Sequence, residues 1–217
     1  MTDALKTVSK PHTIYKNAEG KRLCGVTTIL SILNKPALVA WANRLGLDGI
    51  DSSKYVDESA RIGTLIHYMV ECDLTGQTPD METYSPFEVD KAENGILSFY
   101  EWKKAHIIIP IANELPLVSE QYQYGGTIDV YAEINGDIWL LDIKSGKAIY
   151  SDMLIQIAAY RQLLNENGYP CERAKILRIG RDETEGFEER TLTSFDKYWQ
   201  VFEHCLQIYR LQKEIGG

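Results

Sequence analysis

The chain has 217 residues and a formal net charge of −8; 44% of its residues are hydrophobic and 25% are charged. This composition is typical of one globular domain, and the longest apolar run, residues 107–111, is far shorter than the roughly 20 residues that span a bilayer. The first residues contain no apolar signal segment, which predicts a cytoplasmic protein, and the acidic balance disfavours broad, non-specific binding to nucleic-acid phosphates.

The first half of the chain, residues 1–110, is predicted to be mainly helical. Residues 1–25 are expected to be irregular or to form a short hairpin with a turn at 17–20. Helix-forming patterns then follow, with glycines and prolines at their ends. The predicted helices cover 28–44, with a bend near Pro36, then 56–74 and 86–104.

The second half, residues 111–217, is predicted to form a sheet core. Its segments alternate apolar and polar residues, and Gly125-Gly126 separates the first two of them. The predicted strands cover 117–124, 127–134, 137–144, 175–179 and 188–192, and the predicted helices cover 151–165 and 195–214. This order indicates one α/β domain with a mixed sheet flanked by helices, preceded by extra N-terminal helices.

A hairpin at the centre of this core brings charged residues together. The dipeptide Asn135-Gly136 is typical of a two-residue hairpin turn. Asp129 lies six residues before this turn and Asp142 six residues after it, so the two carboxylates should meet across the strand pair. Lys144 lies two residues after Asp142, which places both side chains on the same face of the sheet.

Asp142 is an unusual residue for its position, because it follows the apolar run 138–141 of a buried strand. A buried charge is costly unless it is paired or bound to a metal ion. One interpretation is a purely structural ion pair with Lys144. The other is a site for Mg²⁺ or Mn²⁺, in which Asp129, Asp142 and the backbone carbonyl of Ile143 provide oxygen ligands and Lys144 helps to activate water.

Three motifs resemble the RecB-like exonuclease branch of the PD-(D/E)xK nuclease superfamily, which includes phage-type exonucleases and the mitochondrial genome maintenance exonuclease. They are Gly126-Thr127-Ile128-Asp129, then Asp142-Ile143-Lys144-Ser145-Gly146, then the segment Gln156 to Tyr160. An upstream Gly63-Thr64-Leu65-Ile66-His67 is similar to the helical motif whose histidine binds the metal in that branch. The resemblance implies a restriction-endonuclease-like fold, and it implies metal ligation by His67, Asp129 and Asp142.

The resemblance also implies roles for residues around these motifs. Gln156 and Tyr160 share a helix face and are expected to flank the active site, although a tyrosine packed in the core is the alternative. Glu120 is expected in the strand before Gly125, near the metal or facing solvent. The candidates for contact with DNA are Arg61, Thr64, Ser145, Lys147 and Arg161.

The cysteines depart from the pattern of relatives that carry an iron–sulfur cluster. Cys24, Cys72, Cys171 and Cys205 are widely separated, and the close cysteine trio near the C-terminus is absent. No cluster is therefore expected, which makes the phage-type exonucleases the closer match.

The sequence as a whole predicts a Mg²⁺- or Mn²⁺-dependent deoxyribonuclease that hydrolyses DNA from its ends in recombination, repair or phage replication. A recombination partner protein and an oligomer are both compatible with this prediction. Two alternatives on the same fold are a structure-specific endonuclease and a DNA-binding subunit without catalytic activity. A sugar or nucleotide hydrolase fits poorly, because the two aspartates lie on adjacent strands beside Lys144.

Overall fold

The computed structural model describes residues 13–33, 35–181 and 185–216. Within this part of the chain, a mixed seven-stranded sheet is flanked by six helices. The strands are β1 (Tyr15–Lys16), β2 (Arg22–Gly25), β3 (Ile108–Ser119), β4 (Tyr124–Ile134), β5 (Asp137–Lys144), β6 (Ala174–Ile179) and β7 (Phe187–Leu192). The helices are α1 (Val26–Leu30), α2 (Pro36–Leu47), α3 (Ser52–Thr75), α4 (Pro86–Lys104), α5 (Ser151–Glu166) and α6 (Asp196–Ile215).

The sheet has the strand order β1-β2-β4-β5-β6-β7, and β3 pairs along β4. Strand β4 is antiparallel to both β3 and β5, whereas β5 and β6 are parallel and are connected through helix α5. Strand β2 pairs in parallel with the start of β4. The predicted α/β class and the mixed sheet flanked by helices are therefore confirmed, and the architecture is consistent with a restriction-endonuclease-like fold.

Apolar side chains cover both faces of the sheet. Helices α1, α5 and α6 pack on one face, around residues such as Tyr124, Leu140 and Phe202. Helices α3 and α4 pack on the other face, where the predicted apolar stripe of α3 is buried. Helix α2 buries none of its side chains. None of the helices in the described ranges is both long and apolar enough to cross a membrane.

The β4–β5 hairpin has the predicted turn. Ile134 pairs with Asp137, so Asn135 and Gly136 alone form the loop. Their φ angles of 53° and 89° are both positive, as a type I′ turn requires. The turn thereby fixes the register that brings the Asp129 region of β4 next to the end of β5.

Two predicted elements have different boundaries in the structure. The helix predicted over 28–44 is two helices, α1 and α2, because a proline at the first turn begins a helix and cannot continue one. The strand predicted over 117–124 corresponds to the end of β3 and stops at Ser119, because residues 120–123 form a turn in which Ser119 accepts hydrogen bonds from Tyr122 N and Gln123 N. The stretch before residue 13 and residues 182–184 of the predicted polar turn lie outside the described residues.

Gly126 does not break a strand as predicted but lies within β4, where α5 packs directly on its backbone. A Cβ atom at Gly126 would lie 2.7 Å from Tyr160 Cε1 and 2.9 Å from Leu163 Cδ1. We expect Gly126→Ala to lower the free energy of unfolding by about 1–3 kcal/mol, because the rigid ring must move. Urea unfolding measures this loss.

Gly46→Ala is the matched control for Gly126→Ala. A Cβ at Gly46 meets no atom within 4 Å, and this residue lies inside helix α2. Alanine there should raise the stability by up to about 1 kcal/mol. Equal effects of the two substitutions would contradict the close packing at Gly126.

Candidate active site

Asp129 lies in β4 and links this strand to β5 and to helix α3. Its Oδ2 atom accepts a hydrogen bond of 2.8 Å from the backbone N–H of Ile143. The same oxygen lies 3.6 Å from Nδ1 of His67. The predicted meeting of the Asp129 and Asp142 regions across the hairpin is thus present, and His67 reaches the same point from the helix.

Gly63 allows α3 to come this close to the end of β5. A Cβ atom at Gly63 would lie 2.3 Å from Oγ of Ser145, the residue that follows β5. His67 is one helical turn further along the same face of α3. The glycine in the middle of a helix is therefore explained by close approach, and this approach brings His67 to the sheet.

Glu114 in β3 completes a group of potential metal ligands that the sequence reasoning missed. Ligand atoms of His67, Glu114 and Asp129 all lie within 4.8 Å of one another. Strand β3 contains a register shift between Pro110 and Ala112, and Glu114 has a φ of 46°. Such positive φ values are uncommon outside glycine and occur often at functional sites. No local pattern marks this residue in the sequence.

The strand β4 face that carries Asp129 also carries Thr127, two residues earlier. The hydroxyl of Thr127 lies 2.9 Å from the hydroxyl of Tyr15 in the N-terminal hairpin. Burial raises the pKa of Tyr15, and the Glu114 carboxylate raises it further. Tyr15 therefore remains a neutral hydrogen-bonding group beside the acidic cluster.

Asp142 and Lys144 form a buried ion pair next to this cluster. Asp142 is fully buried, and its Oδ2 lies 2.5 Å from Nζ of Lys144. Its other carboxylate oxygen, Oδ1, has no hydrogen-bond partner among the described residues. Burial raises the pKa of Asp142 to about 6; Lys144 opposes this rise and Asp129 adds to it.

Lys144 keeps its proton in this environment. Burial alone lowers the pKa of its ammonium, but the carboxylates of Asp142 and Asp129 more than offset this effect, and the pKa lies above its usual value. The site therefore holds a fixed positive charge 2.5 Å from an aspartate with an unsatisfied oxygen.

The raised pKa of Asp142 predicts a pH dependence of stability in the metal-free protein. An unfolded aspartate has a pKa of about 3.9, and the folded value is about 6. Between these values the folded state binds more protons, so the contribution of Asp142 to the free energy of unfolding falls as pH rises from about 4 to about 6 and is constant above. The fall should be on the order of 3 kcal/mol.

Urea unfolding of the wild type and Asp142→Asn between pH 4 and 7.5, in chelator, isolates this contribution. The free energy of unfolding of the wild type minus that of the variant should decrease as pH rises to about 6 and stay constant above. A difference that does not change with pH would contradict the assignment.

Gln156 and Tyr160 lie on one face of α5, as predicted, and contact each other. The side-chain amide of Gln156 donates a hydrogen bond of 2.7 Å to the Tyr160 hydroxyl. Burial, followed by the charges of Asp142 and Asp129, raises the pKa of Tyr160 well above its usual value. Tyr160 is therefore a neutral hydroxyl near both aspartates.

The structure places three other candidates away from this cluster. Glu120 is exposed in the turn after β3, not in a strand, and its carboxylate accepts a hydrogen bond from Ala18 N. Arg61 binds Glu88 and the carbonyl of Thr83, which ties α3 to the start of α4. Arg161 donates to the carbonyl of Cys171 and to Glu172. These contacts account for all three side chains structurally.

Tyr122 and Tyr124 also have structural partners. Tyr124 is fully buried, and its hydroxyl donates to the carbonyl of Ala159 at 2.9 Å. Tyr122 packs edge-on against Trp199, with ring centroids 4.9 Å apart. The buried ring of Tyr124 therefore has no face available for stacking on a base.

A cleft of about 1040 Å³ opens over the cluster. It lies between α2 and α3 on one side and the sheet and the start of α5 on the other. Three of the predicted substrate contacts, Thr64, Ser145 and Lys147, line it. The same lining contains His67, Glu114, Asp129 and Tyr160.

The donor set fits a divalent metal ion. An imidazole and two carboxylates in one place suit Mg²⁺ or Mn²⁺ through their oxygens and tolerate a nitrogen ligand. Two of the four predicted ligands, His67 and Asp129, belong to the group within 4.8 Å, and Asp142 does not. The N–H of Ile143 donates to Asp129, which leaves metal binding by its carbonyl oxygen a prediction. The unpartnered oxygen of Asp142 is a further acceptor near this group.

Comparison with known proteins finds distant structural likeness only. No protein-family model matches the sequence, and no curated protein matches it. The chain is similar to the "Putative exonuclease" of Eubacterium rectale, at 15% identity over 71% of this chain and 68% of that chain, with a TM-score of 0.46. It is also similar to LHK-Exo, solved in complex with dAMP, at 11% identity over 73% of this chain and 92% of that chain, with a TM-score of 0.38.

Proposed function

We propose that this protein is a metal-dependent DNA nuclease. One observation carries the proposal: the ligand group of His67, Glu114 and Asp129 lies beside a buried aspartate–lysine pair at the end of β5. A structural ion pair alone would not need a second acidic group and a histidine at the same point. The motifs around Asp129 and Asp142 resemble those of PD-(D/E)xK nucleases, which supports a phosphodiester as the substrate.

His67, Glu114 and Asp129 would hold the ion, and the carboxylate of Asp142 could provide an additional oxygen ligand. A bound Mg²⁺ or Mn²⁺ neutralises phosphate charge and favours the ionised form of a nearby water molecule. The remaining chemistry falls to the side chains.

Lys144 and Asp142 are placed to orient an attacking water and to stabilise charge. The Lys144 ammonium can donate to a phosphate oxygen, since it remains protonated beside two carboxylates. The open oxygen of Asp142 can accept a hydrogen bond from the water molecule. Tyr160 is held by Gln156 as a neutral donor near the same aspartates. Hydrolysis is direct, because none of these groups acts as a covalent nucleophile.

We infer that the enzyme acts at DNA ends, as an exonuclease in recombination, repair or phage replication. The whole chain would then form one nuclease domain, whose helical N-terminal part supplies His67 and whose sheet core supplies the other ligands.

Nuclease assays on labelled DNA test this function. Linear single-stranded DNA, linear double-stranded DNA and a closed circle are incubated with Mg²⁺, Mn²⁺ or chelator. We expect loss of linear DNA only when metal is present, with the circle left intact. Cleavage of the circle would instead indicate a structure-specific endonuclease. A folded protein that binds DNA and cleaves none of the three would indicate a subunit without catalytic activity.

A further inference from the structure

Aromatic side chains line the cleft on two sides. Trp41 of α2 and Tyr55 of α3 meet edge to face, with ring centroids 5.6 Å apart. Tyr150, at the start of α5, is 55% exposed on the opposite side of the same cleft. Because α2 buries none of its residues, its apolar side chains have no role in the core that would explain them.

The charges of the cleft are nearly balanced. The permanently charged cations among its described lining residues are Lys35, Lys147 and Arg181. Lys35 lies 2.6 Å from Asp152, and Arg181 lies 2.8 Å from Glu185. Together with the net charge of −8, this arrangement leaves little positive potential for holding a phosphate backbone.

We propose that the cleft binds an unpaired DNA strand by stacking its bases on Trp41 and Tyr150; this deepens the proposed nuclease function and rests on it. Aromatic rings bind bases of any sequence, but only when the faces of the bases are free. The bases of a duplex already stack on each other, and the duplex relies on phosphate contacts that this cleft scarcely offers. The same cleft contains His67 and Asp129, so a strand held between Trp41 and Tyr150 lies in the same cleft as the ligand group.

Fluorescence anisotropy with a labelled oligonucleotide tests the stacking directly. Measurements in chelator prevent cleavage and compare a single strand with the same strand in a duplex. We expect the wild type to prefer the single strand, and we expect Trp41→Leu and Tyr150→Leu each to weaken single-strand binding about tenfold. Trp41→Phe keeps a flat ring and should retain most of the affinity.

Phe87→Leu is the matched control, because Phe87 is 52% exposed on α4 and does not line the cleft. It should leave binding unchanged. Thermal unfolding of each variant identifies any that fail to fold, and Tyr150→Leu gives an independent test if Trp41→Leu is unfolded.

The salt dependence gives a second readout. A single strand releases about 0.7 counterion for each phosphate that is neutralised, so three cations limit the slope of log affinity against log salt to about −2. A steep slope, or equal binding by Trp41→Leu, Tyr150→Leu and the wild type, would overturn the stacking proposal even if cleavage is observed. Loss of single-strand binding in both variants of a protein that never cleaves DNA would keep this proposal and reject the nuclease.

Discussion

Lys144→Met should reduce the rate of DNA hydrolysis by the proposed nuclease by about a hundredfold to a thousandfold. The substitution removes the ammonium that lies 2.5 Å from Asp142 and is placed to donate to a phosphate oxygen. It also removes the cation that lowers the pKa of Asp142, so this pKa rises further above about 6 and a smaller fraction of the carboxyl is ionised at neutral pH. Initial rates on end-labelled linear DNA with Mg²⁺ measure the loss.

Lys175→Met is the matched control for this experiment. Lys175 lies on the adjacent parallel strand β6, is also nearly buried, and also pairs with a carboxylate, that of Glu189. Its partner on β5 is Leu141, so the Lys175 side chain lies on the opposite face of the sheet from Asp142 and Lys144. Its loss should therefore lower stability but leave the rate per folded molecule unchanged. If both variants lose activity equally, the effect of Lys144 is structural.

Combining Lys144→Met with Asp142→Asn should add little to the loss of activity in either single variant, since the two groups act together.

Glu114→Gln should weaken the binding of Mn²⁺ by at least 10–100-fold. Glu114 is one of three residues whose ligand atoms lie within 4.8 Å of one another, and an amide oxygen is a weaker ligand than a carboxylate. Mutating a residue that only holds a metal ligand in place already weakens metal binding by about 10–100-fold. Isothermal titration calorimetry of the metal-free protein measures the affinity independently of activity.

Glu120→Gln tests whether Glu114 or Glu120 is the glutamate that binds the metal. The resemblance implied that Glu120 lies near the metal or faces solvent, and in the structure its carboxylate accepts a hydrogen bond from Ala18 N in an exposed turn. Glu120→Gln should therefore bind Mn²⁺ like the wild type. An unchanged affinity in Glu114→Gln, or a loss in Glu120→Gln, would contradict the ligand group proposed here.

The parts of the site that the sequence predicted are those fixed by local rules. Asn135-Gly136 determines the turn, and alternation then determines which side chains share a face. The spacing of Gly63 and His67 on a helix is local in the same way. The positions of Asp129, Asp142 and Lys144 relative to one another thus followed from patterns within a few residues, whereas the place of His67 beside them was implied only by the resemblance.

The places of Glu114 and Trp41 in the cleft could not be predicted from such local patterns. Glu114 faces Asp129 only because β3 begins at Ile108 and shifts register near Pro110, and such a shift has no clear signature in sequence. In the sequence, residues 107–111 are only a short apolar run, which does not by itself predict that β3 begins at Ile108. Similarly, the sequence predicts one helix with a bend near Pro36, whereas the structure has two separate helices, α1 and α2. The second of these carries Trp41.

The N-terminal hairpin has a consequence for the order in which the chain assembles. Strand β2 pairs with β4 through Cys24 and Tyr124, about 100 residues apart, whereas β4 and β5 are joined by two residues. Closing the long loop costs more entropy and takes more time, so the β4–β5 hairpin forms first and β1–β2 docks afterwards. Tyr15 then reaches Thr127 only after the sheet exists. The cleft face of β4 is therefore completed only when the N-terminal hairpin docks, and the proposed nuclease activity would depend on that step.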